Sequence, residues 1–487
     1  MDIGYKDLRE WLARVEELGE LRIAKSIDLK EGVGRIAEIS ASTEEAPAIL
    51  LDEFEAHKKG YRILLNPFGT IRRMAWTFGF SLESDRLNLL ELFKKRLEKL
   101  EFIPPKYVER APIFENRMIG KDVDLLRFPV PKWHTEDGGR YIGTGCLVIT
   151  RDPDEGWVNV GTYRNQLHDK ETVGFYISPG HQGRIHREKY FSRGEPCPVA
   201  VVFGSDPLLF TSGMLQMPWG TSEYDWAGGW RGEPVEVIKG PITGLPIPAN
   251  AEIVIEGFSP PGKTRLEGPF GEFLGYYASG AREEPYIEVK ALYFRNDPIL
   301  LGMPPQKPPY DADKARVFII SALLFDQLKR MGIAGITSAW CHGLGACQLL
   351  IAVGMKQHYC GHSRQVGHAA YTSAVAKAGR YVVVVDDDID VTNLNEVMWA
   401  VVTRSDPATS IDIVSRATSN PLDPRISPED RAAGRYFNSR AIIDATRPFE
   451  WKDQFPKPVQ PDLEYRKKSR EMFGHLFKGL RDLVWVN

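Results

Sequence analysis

Cysteine is scarce: the 487 residues hold five, Cys146, Cys197, Cys341, Cys347 and Cys360, and no two of them form a CxxC pair. An odd, scattered set argues against a disulfide framework or a zinc ribbon and fits reduced thiols, so a cytoplasmic location is expected. Long apolar runs are missing too. The longest, such as residues 381–385, are far too short to cross a bilayer. The opening MDIGYKDLREWL carries acids and a helical pattern in place of the apolar core of a signal peptide. Neither sign of charge dominates: 62 Lys and Arg stand against 65 Asp and Glu, a net charge of -3. That balance excludes a whole-protein basic field for nucleic acid or anionic lipid, so neither is expected as a partner. Internal repeats and low-complexity tracts are absent as well. What remains is an enzyme-sized globular chain, 43% hydrophobic and 26% charged, long enough for two to four domains.

The chain opens with Leu8, Leu12, Val15 and Leu18 at helical spacing, with Gly19 placed to end the helix. A second helix is predicted from about residue 87 to 100, stopped by Pro104-Pro105. From 125 to 300 the texture changes. Short β-rich runs, CLVIT (146–150), PVAVVFG (198–204), AEIVIEG (251–257) and YIEVKALYF (286–294), alternate with Gly/Pro turns. They predict a mostly antiparallel barrel or sandwich whose turns can hold a flat cofactor. After the Pro-rich stretch 302–310 a helical pattern runs from 315 to 331. Beyond it CQLLIAV (347–353) and YVVVVDDDIDV (381–391) predict buried strands of an α/β region. The stretch from 462 to 484 is amphipathic and predicts a terminal helix packed on a partner subunit or on its own domain.

Four segments carry chemistry. In Arg265–Tyr276 two glutamates, Glu267 and Glu272, stand five residues apart across Gly-Pro-Phe-Gly. A plain strand would put them on opposite faces, but a glycine-rich turn can fold both toward one cavity. Paired carboxylates have their pKa values pushed apart, so one stays ionised while the other delivers a proton. The bland alternative is a pair of solvated turn acids. In Trp157–Gln166 alternation puts Asn159, Gly161 and Tyr163 on one face, with Arg164 at the strand end, able to clamp a carboxylate or simply to make a surface ion pair. Ile177–His181 reads as a strand end that sets an imidazole in a turn. Thr221–Tyr224, followed by Ala227-Gly228, supplies Glu223. Asn, His and Glu together suit manganese or magnesium with phosphate oxygens completing the shell, although a lone His after Ser-Pro-Gly is more often an ordinary turn residue.

Taken in order, the Asn-x-x-x-x-Arg strand, the Pro-x-His turn, the Ser-Glu-x-x-x-Ala-Gly segment and Glu-Gly-Pro-Phe-Gly-Glu resemble the UbiD family of prenylated-flavin-dependent decarboxylases, over most of the chain. The resemblance implies a mixed α/β (α+β) fold: an N-terminal α/β region (1–125), a split β-barrel flavin domain (126–312), a linker helix (313–335) and a C-terminal α/β oligomerisation domain (336–487). It implies prenylated FMN, which takes up the electrons as CO2 leaves, delivered by a flavin prenyltransferase. Asn159, His181 and Glu223 would hold the divalent metal (Mn2+ or Mg2+) that bridges to the cofactor phosphate, and Trp157 and Ser212–Leu215 would lie near a potassium ion. Gly161, Tyr163 and Lys356 would help hold the cofactor. Arg164 would position the substrate carboxylate, Glu267 would hold Arg164, and Glu272 would deliver the proton that replaces CO2. The substrate class is an aromatic, heteroaromatic or α,β-unsaturated carboxylic acid, the reaction is reversible at high CO2, and homodimers and homohexamers are both usual.

Lys307, Lys314 and Arg316 lie where family members line the substrate pocket. They suggest a second anionic group or a coenzyme A thioester, against the plainer view of solvated charges balanced by Asp311 and Asp313. Asp386-Asp387-Asp388-Ile389-Asp390 looks like a metal cluster, but it follows a buried strand and reads better as structural. The His342, His358, His362 and His368 patch around Cys341 and Cys360 matches no zinc spacing. The rivals to the decarboxylase are a flavin-free manganese-dependent lyase or hydrolase and a non-catalytic subunit of a carboxylase. A conventional FMN oxidoreductase is disfavoured because no GxGxxG follows a predicted strand.

Overall fold

Ten strands build the sheet that carries the residues singled out above, Asn116–Ile119 and nine more. In chain order the nine are β1 (Arg140–Gly143), β2 (Cys146–Arg151), β3 (Val158–Gly161), β4 (Asn165–Leu167), β5 (Thr172–Gly174), β6 (Cys197–Phe203), β7 (Ile253–Ser259), β8 (Thr264–Glu267) and β9 (Arg282–Phe294). The computed structural model describes residues 3–376, 378–459 and 463–477. The main path runs β1-β4-β5-β9-β7-β6-β2-β3, every neighbouring pair antiparallel, with β8 and Asn116–Ile119 also paired to β9. This is a curled half-barrel, the split-barrel architecture expected from the sequence. Val148, Val201, Ile255 and Leu292 are fully buried in its core, each contributing roughly 1.5–3 kcal/mol of transfer free energy.

Around this sheet, the first compact unit spans residues 1–323 with 343–347 and 419–437. It includes a four-stranded sheet of Leu21–Ala24, Ala48–Leu51, Arg62–Leu65 and Ile299–Gly302. The N-terminal helix is Leu8–Glu17, capped by the Asp7 side chain and followed by Gly19 at φ +75. Three helices matter for the site: α1 (Gln182–Ser192), α2 (Pro207–Gly213) and α3 (Glu223–Arg231). The predicted helix at 315–331 is α4 (Asp311–Arg330). It starts four residues earlier than its apolar periodicity suggests, because Asp311 and Asp313 favour the positive end of the helix dipole.

The second unit spans 324–342, 348–418 and 438–487. Its sheet runs Ile336–Cys341, Leu350–Met355, Tyr381–Asp386, Phe437–Ala445, Ile411–Thr418, with parallel pairing in the middle. Two expected strands are shorter than predicted. CQLLIAV does not begin at Cys347, since Ala346 and Cys347 are left-handed (φ +52 and +57) and the strand starts at Leu350. The VDDDID strand ends at Asp386, where the acids turn out of the ladder to meet arginines. The terminal helix runs Leu463–Phe473, and the rest of its predicted span, 462 and 478–484, lies outside the described residues. No described helix is long and apolar enough to cross a membrane.

Candidate active site

Strand β3 stops at Gly161, and the chain bends before β4 so that Tyr163 folds back over it. An added Cβ at Gly161 would lie 2.4 Å from the Tyr163 ring, so only glycine permits this approach. The bend presents Arg164 inward, its side chain 7% exposed. Opposite, β8 ends at Glu267, and Gly268, at φ +86, starts the turn that carries Glu272. The odd spacing of the two acids is thus cancelled by the turn, and both reach one guanidinium. Arg164 Nε and Nη2 donate to Glu267 at 2.9 and 2.8 Å, a bidentate pair, and Nη1 donates to Glu272.

Surrounding groups hold this trio. Tyr141 Oη lies 3.1 Å from Glu267 Oε1, and Gln166 accepts the Gly268 N–H at 2.9 Å. The Arg164 guanidinium stacks over Tyr176 at 4.0 Å and over Phe270 at 5.3 Å. Burial alone would raise the pKa of Glu267, but the hydrogen bonds and charge of Arg164, with Tyr141, hold it below the ordinary carboxylate value. Glu272 goes the other way: burial and the Glu267 charge lift it, outweighing the opposing pull of Arg164 and Arg282. One guanidinium shared by two buried carboxylates keeps one ionised and favours a proton on the other.

A second cluster forms where β3, α1 and α3 meet. Glu223, the first residue of α3, accepts from the Val160 N–H at 2.6 Å and from Asn159 Nδ2 at 2.9 Å. Tyr163 Oη donates to Asn159 Oδ1 at 3.0 Å, and its ring meets that of His181 edge-on at 5.7 Å. His181 does not end a strand, as its Ser-Pro-Gly context suggested. It is the N-cap of α1, the nearest preceding strand having stopped at Gly174. Glu223 is buried, and burial pushes its pKa up to about 8 against its two hydrogen bonds. A carboxylate so placed, beside an amide and an imidazole, fits a divalent cation that would keep it ionised. Among the described residues no cluster of three His, Cys, Asp or Glu could hold a metal, so such a site draws on the Asn159 amide.

The remaining expected residues are spread more widely. Ser212 lies near the end of α2, bonded to the Leu209 carbonyl at 2.7 Å, and Leu215 comes just after that helix, buried. The Gly213 carbonyl accepts the Thr162 N–H at 3.0 Å, tying this segment to the Arg164 bend. The Trp157 carbonyl accepts from Asp152 N–H, and its ring packs on His186 and Trp219 at 4.5 and 5.1 Å. Lys356 comes directly after the Leu350–Met355 strand in the second unit and is exposed. Lys307 is exposed, whereas Arg316 is 13% exposed and 3.7 Å from the fully buried Asp313, so solvation does not describe it. Asp386 and Asp388 are taken up by Arg404 and Arg447, the structural role expected of them. The histidines make separate contacts, His358 N–H to His362 Nδ1 and His368 to Asp412, each at 3.2 Å. Sequence reasoning missed Tyr141, Gln166, Tyr176 and Arg282. Gln166 had a signal, two residues after Arg164, but the others depend on strand register.

Arginine between paired carboxylates on a curled sheet is chemically able to bind an anion and to hold a proton beside it. Residues 12–93, 106–308 and 316–445 match the N-terminal, Rift-related and C-terminal domain models of 3-octaprenyl-4-hydroxybenzoate carboxy-lyase. The phenolic acid decarboxylase of Bacillus subtilis is 31% identical, over 98% of this chain and 100% of its own length. The pyrrole-2-carboxylic acid decarboxylase of Pseudomonas aeruginosa is 30% identical, over 92% of each. An evolved dimeric form of the UbiD-class enzyme HmfF from Pelotomaculum thermopropionicum, solved with prFMN, superposes at a TM-score of 0.79, with 26% identity over 95% of this chain and 98% of that one. The chain belongs to the UbiD family and is a carboxy-lyase.

Proposed function

We propose that this enzyme reversibly removes CO2 from an aromatic, heteroaromatic or α,β-unsaturated acid, with prenylated FMN bound beside Arg164. The observation that carries this reading is the buried Arg164 shared by Glu267 and Glu272. Asn159, through its amide oxygen, with His181 and Glu223 would hold Mn2+ or Mg2+, which would supply positive charge for the Glu223 carboxylate and the cofactor phosphate. Trp157 and Ser212–Leu215 would flank a potassium ion. When bound, the flavin supplies the sink for the electron pair left on carbon as CO2 departs.

Arg164 receives the substrate carboxylate through Nη1, the donor bonded to Glu272. Glu267 keeps the other edge and fixes the guanidinium plane. Displaced from Arg164, Glu272 loses its nearest cation, so substrate binding itself favours protonation of the donor. The C–CO2 bond breaks, its electron pair stays with the substrate, and the Glu272 proton ends on that carbon. Glu272 is then reprotonated from solvent, and carboxylation is the same sequence reversed. The five cysteines are all free and four of them buried, which supports a cytoplasmic location; the family membership supports a flavin prenyltransferase as cofactor supplier and assembly as a homodimer or homohexamer. Arg316, with Lys307, is proposed to meet a second anionic group of the substrate; an unchanged KM in both Arg316→Ala and Lys307→Ala overturns this.

The test is co-expression with a flavin prenyltransferase, absorbance and mass analysis of the purified chain, and CO2 release over a panel of aromatic and heteroaromatic acids. Bound prenylated FMN and activity lost in Glu272→Gln support the reading. An active, flavin-free protein overturns it in favour of a manganese-dependent lyase. Manganese should also raise the melting temperature of the flavin-free chain, a gain of about 2.7 kcal/mol at a hundredfold excess over Kd, and Glu223→Gln should abolish that rise.

A further inference from the structure

Arg282 takes no part in the chemistry derived so far, yet it stands beside every charged member of the site. It opens β9 directly across from Glu267, the last residue of β8. Directly opposed residues of an antiparallel pair share one face, so the two side chains run together toward the Arg164 bend. The Arg282 guanidinium lies 4.3 Å from the centre of the Tyr176 ring, and that of Arg164 lies 4.0 Å from the same centre. Tyr176 is thus in cation–π contact with both guanidiniums. Tyr176 is buried, and its hydroxyl is 3.0 Å from Ser178 Oγ, which leaves the ring little freedom to turn. Arg282 Nε is anchored to Glu284 at 2.6 Å, while its Nη2 is buried without a hydrogen-bond partner.

We propose that Arg282 is a positioning residue for the decarboxylation: in contact with the same Tyr176 ring as Arg164, it fixes that ring and so holds the Arg164 guanidinium in the plane where it meets both glutamates. This inference rests on the decarboxylase reading of Arg164 and Glu272. The shared ring contact constrains Arg164 in addition to its bonds to Glu267 and Glu272 and its contact with Phe270. Arg282 has a second effect through its charge. The groups acting on Glu272 are Arg164 from the β3–β4 bend, Glu267 from β8 and Arg282 from β9, and the charge of Glu272 in turn acts on the Tyr310 phenol just ahead of α4. Asp137 reaches the same turn through the Gly271 N–H at 3.1 Å, with the His134 ring close behind it. Of these only Arg164 and Arg282 oppose protonation of Glu272, and Arg164 is turned to the substrate during catalysis.

The experiment compares the full-length, cofactor-loaded chain with Arg282→Met and Arg282→Lys, using pyrrole-2-carboxylate and vanillate as probes. Arg282→Met should lower kcat by roughly 10- to 100-fold through misalignment of Arg164. It should also move the alkaline limb of the kcat profile up by about one pH unit, because Glu272 then keeps its proton to higher pH. Arg282→Lys keeps the charge, so it should restore the position of the limb while leaving kcat low. A merely structural role would lower activity in Arg282→Met without moving the limb, and either that result or an unchanged enzyme overturns the proposal. If the wild-type chain decarboxylates neither probe nor any acid of the panel, the reading of the reaction fails on its own. The melting temperature from about pH 5 to 9 then decides on Arg282. If Glu272→Gln alters that profile equally with Arg282 present and in the Arg282→Met background, Arg282 has no hold on the site and the proposal falls.

Discussion

Two arginine–acid clusters in this chain look alike in sequence and differ in what they can do. In the first unit Glu267 and Glu272 share the guanidinium of Arg164. In the second Asp386 and Asp388 share two, Arg404 and Arg447, and Asp386 also accepts from Gln357 at 3.1 Å and from the Arg447 N–H at 2.8 Å. Burial would raise the pKa of Asp388, but Arg404 and Arg447 hold it below the ordinary range. There two carboxylates have two guanidiniums to balance them, and Asp388 is favoured in its ionised form. Two buried carboxylates bonded to one guanidinium are not so balanced, since Arg282 acts on them only at a distance and is itself paired with Glu284. Burial makes the surplus charge costly, so Glu272 is pushed toward protonation. The number of guanidiniums bonded to the buried acids, more than the presence of an acid cluster, separates an acid pushed toward protonation from a brace.

The largest effect expected from this contrast is on turnover. Glu272→Gln should lower decarboxylation by about 10²- to 10⁴-fold with its flavin content intact, the usual worth of a positioned general acid; a rate within threefold of wild type would break the comparison. Next, Asp386→Asn should destabilise the second unit by roughly 1–3 kcal/mol, since several donors lose a charged acceptor, with kcat per folded molecule unchanged. Urea unfolding beside turnover measures both. The smallest effect is the most discriminating. Glu272 has its folded pKa above the ordinary 4.5, so its contribution to stability is full below that value and is lost as pH rises through the folded pKa. Glu267, depressed in the fold, contributes above 4.5 and loses its contribution as pH falls through its folded pKa. Glu272→Gln should therefore be more stable than wild type at alkaline pH, by about 1.4 kcal/mol for each pH unit between the folded and unfolded pKa of Glu272, with no gain at acid pH. A melting-temperature series against pH that shows the opposite sign would place the surplus charge elsewhere.

Legibility from sequence tracked the range of the interactions. The β-rich runs at 146–150, 198–204 and 251–257 became strands within two residues of their predicted ends, because alternation and Gly/Pro turns are local signals. The four motif segments yielded Asn159, Arg164, Glu223, Glu267 and Glu272, which meet in space as two clusters. His181 was found but assigned to the wrong element, since Ser-Pro-Gly marks a turn and does not encode the helix that begins after it. Arg316 was read as solvated or pocket-lining; its burial against Asp313 depends on how the head of α4 packs, which no local pattern encodes.

By itself, then, the sequence determined the family, the antiparallel sheet with its α/β partner, and the short list of acids, arginine and imidazole able to do the chemistry, because each is written in neighbouring residues. Only the tertiary structure decided that Tyr141 bonds to Glu267, that Tyr176 contacts two guanidiniums, and that Arg282 faces Glu267. Those pairings join strands far apart in the chain, and a register shift of one residue would turn Arg282 to the other face of the sheet.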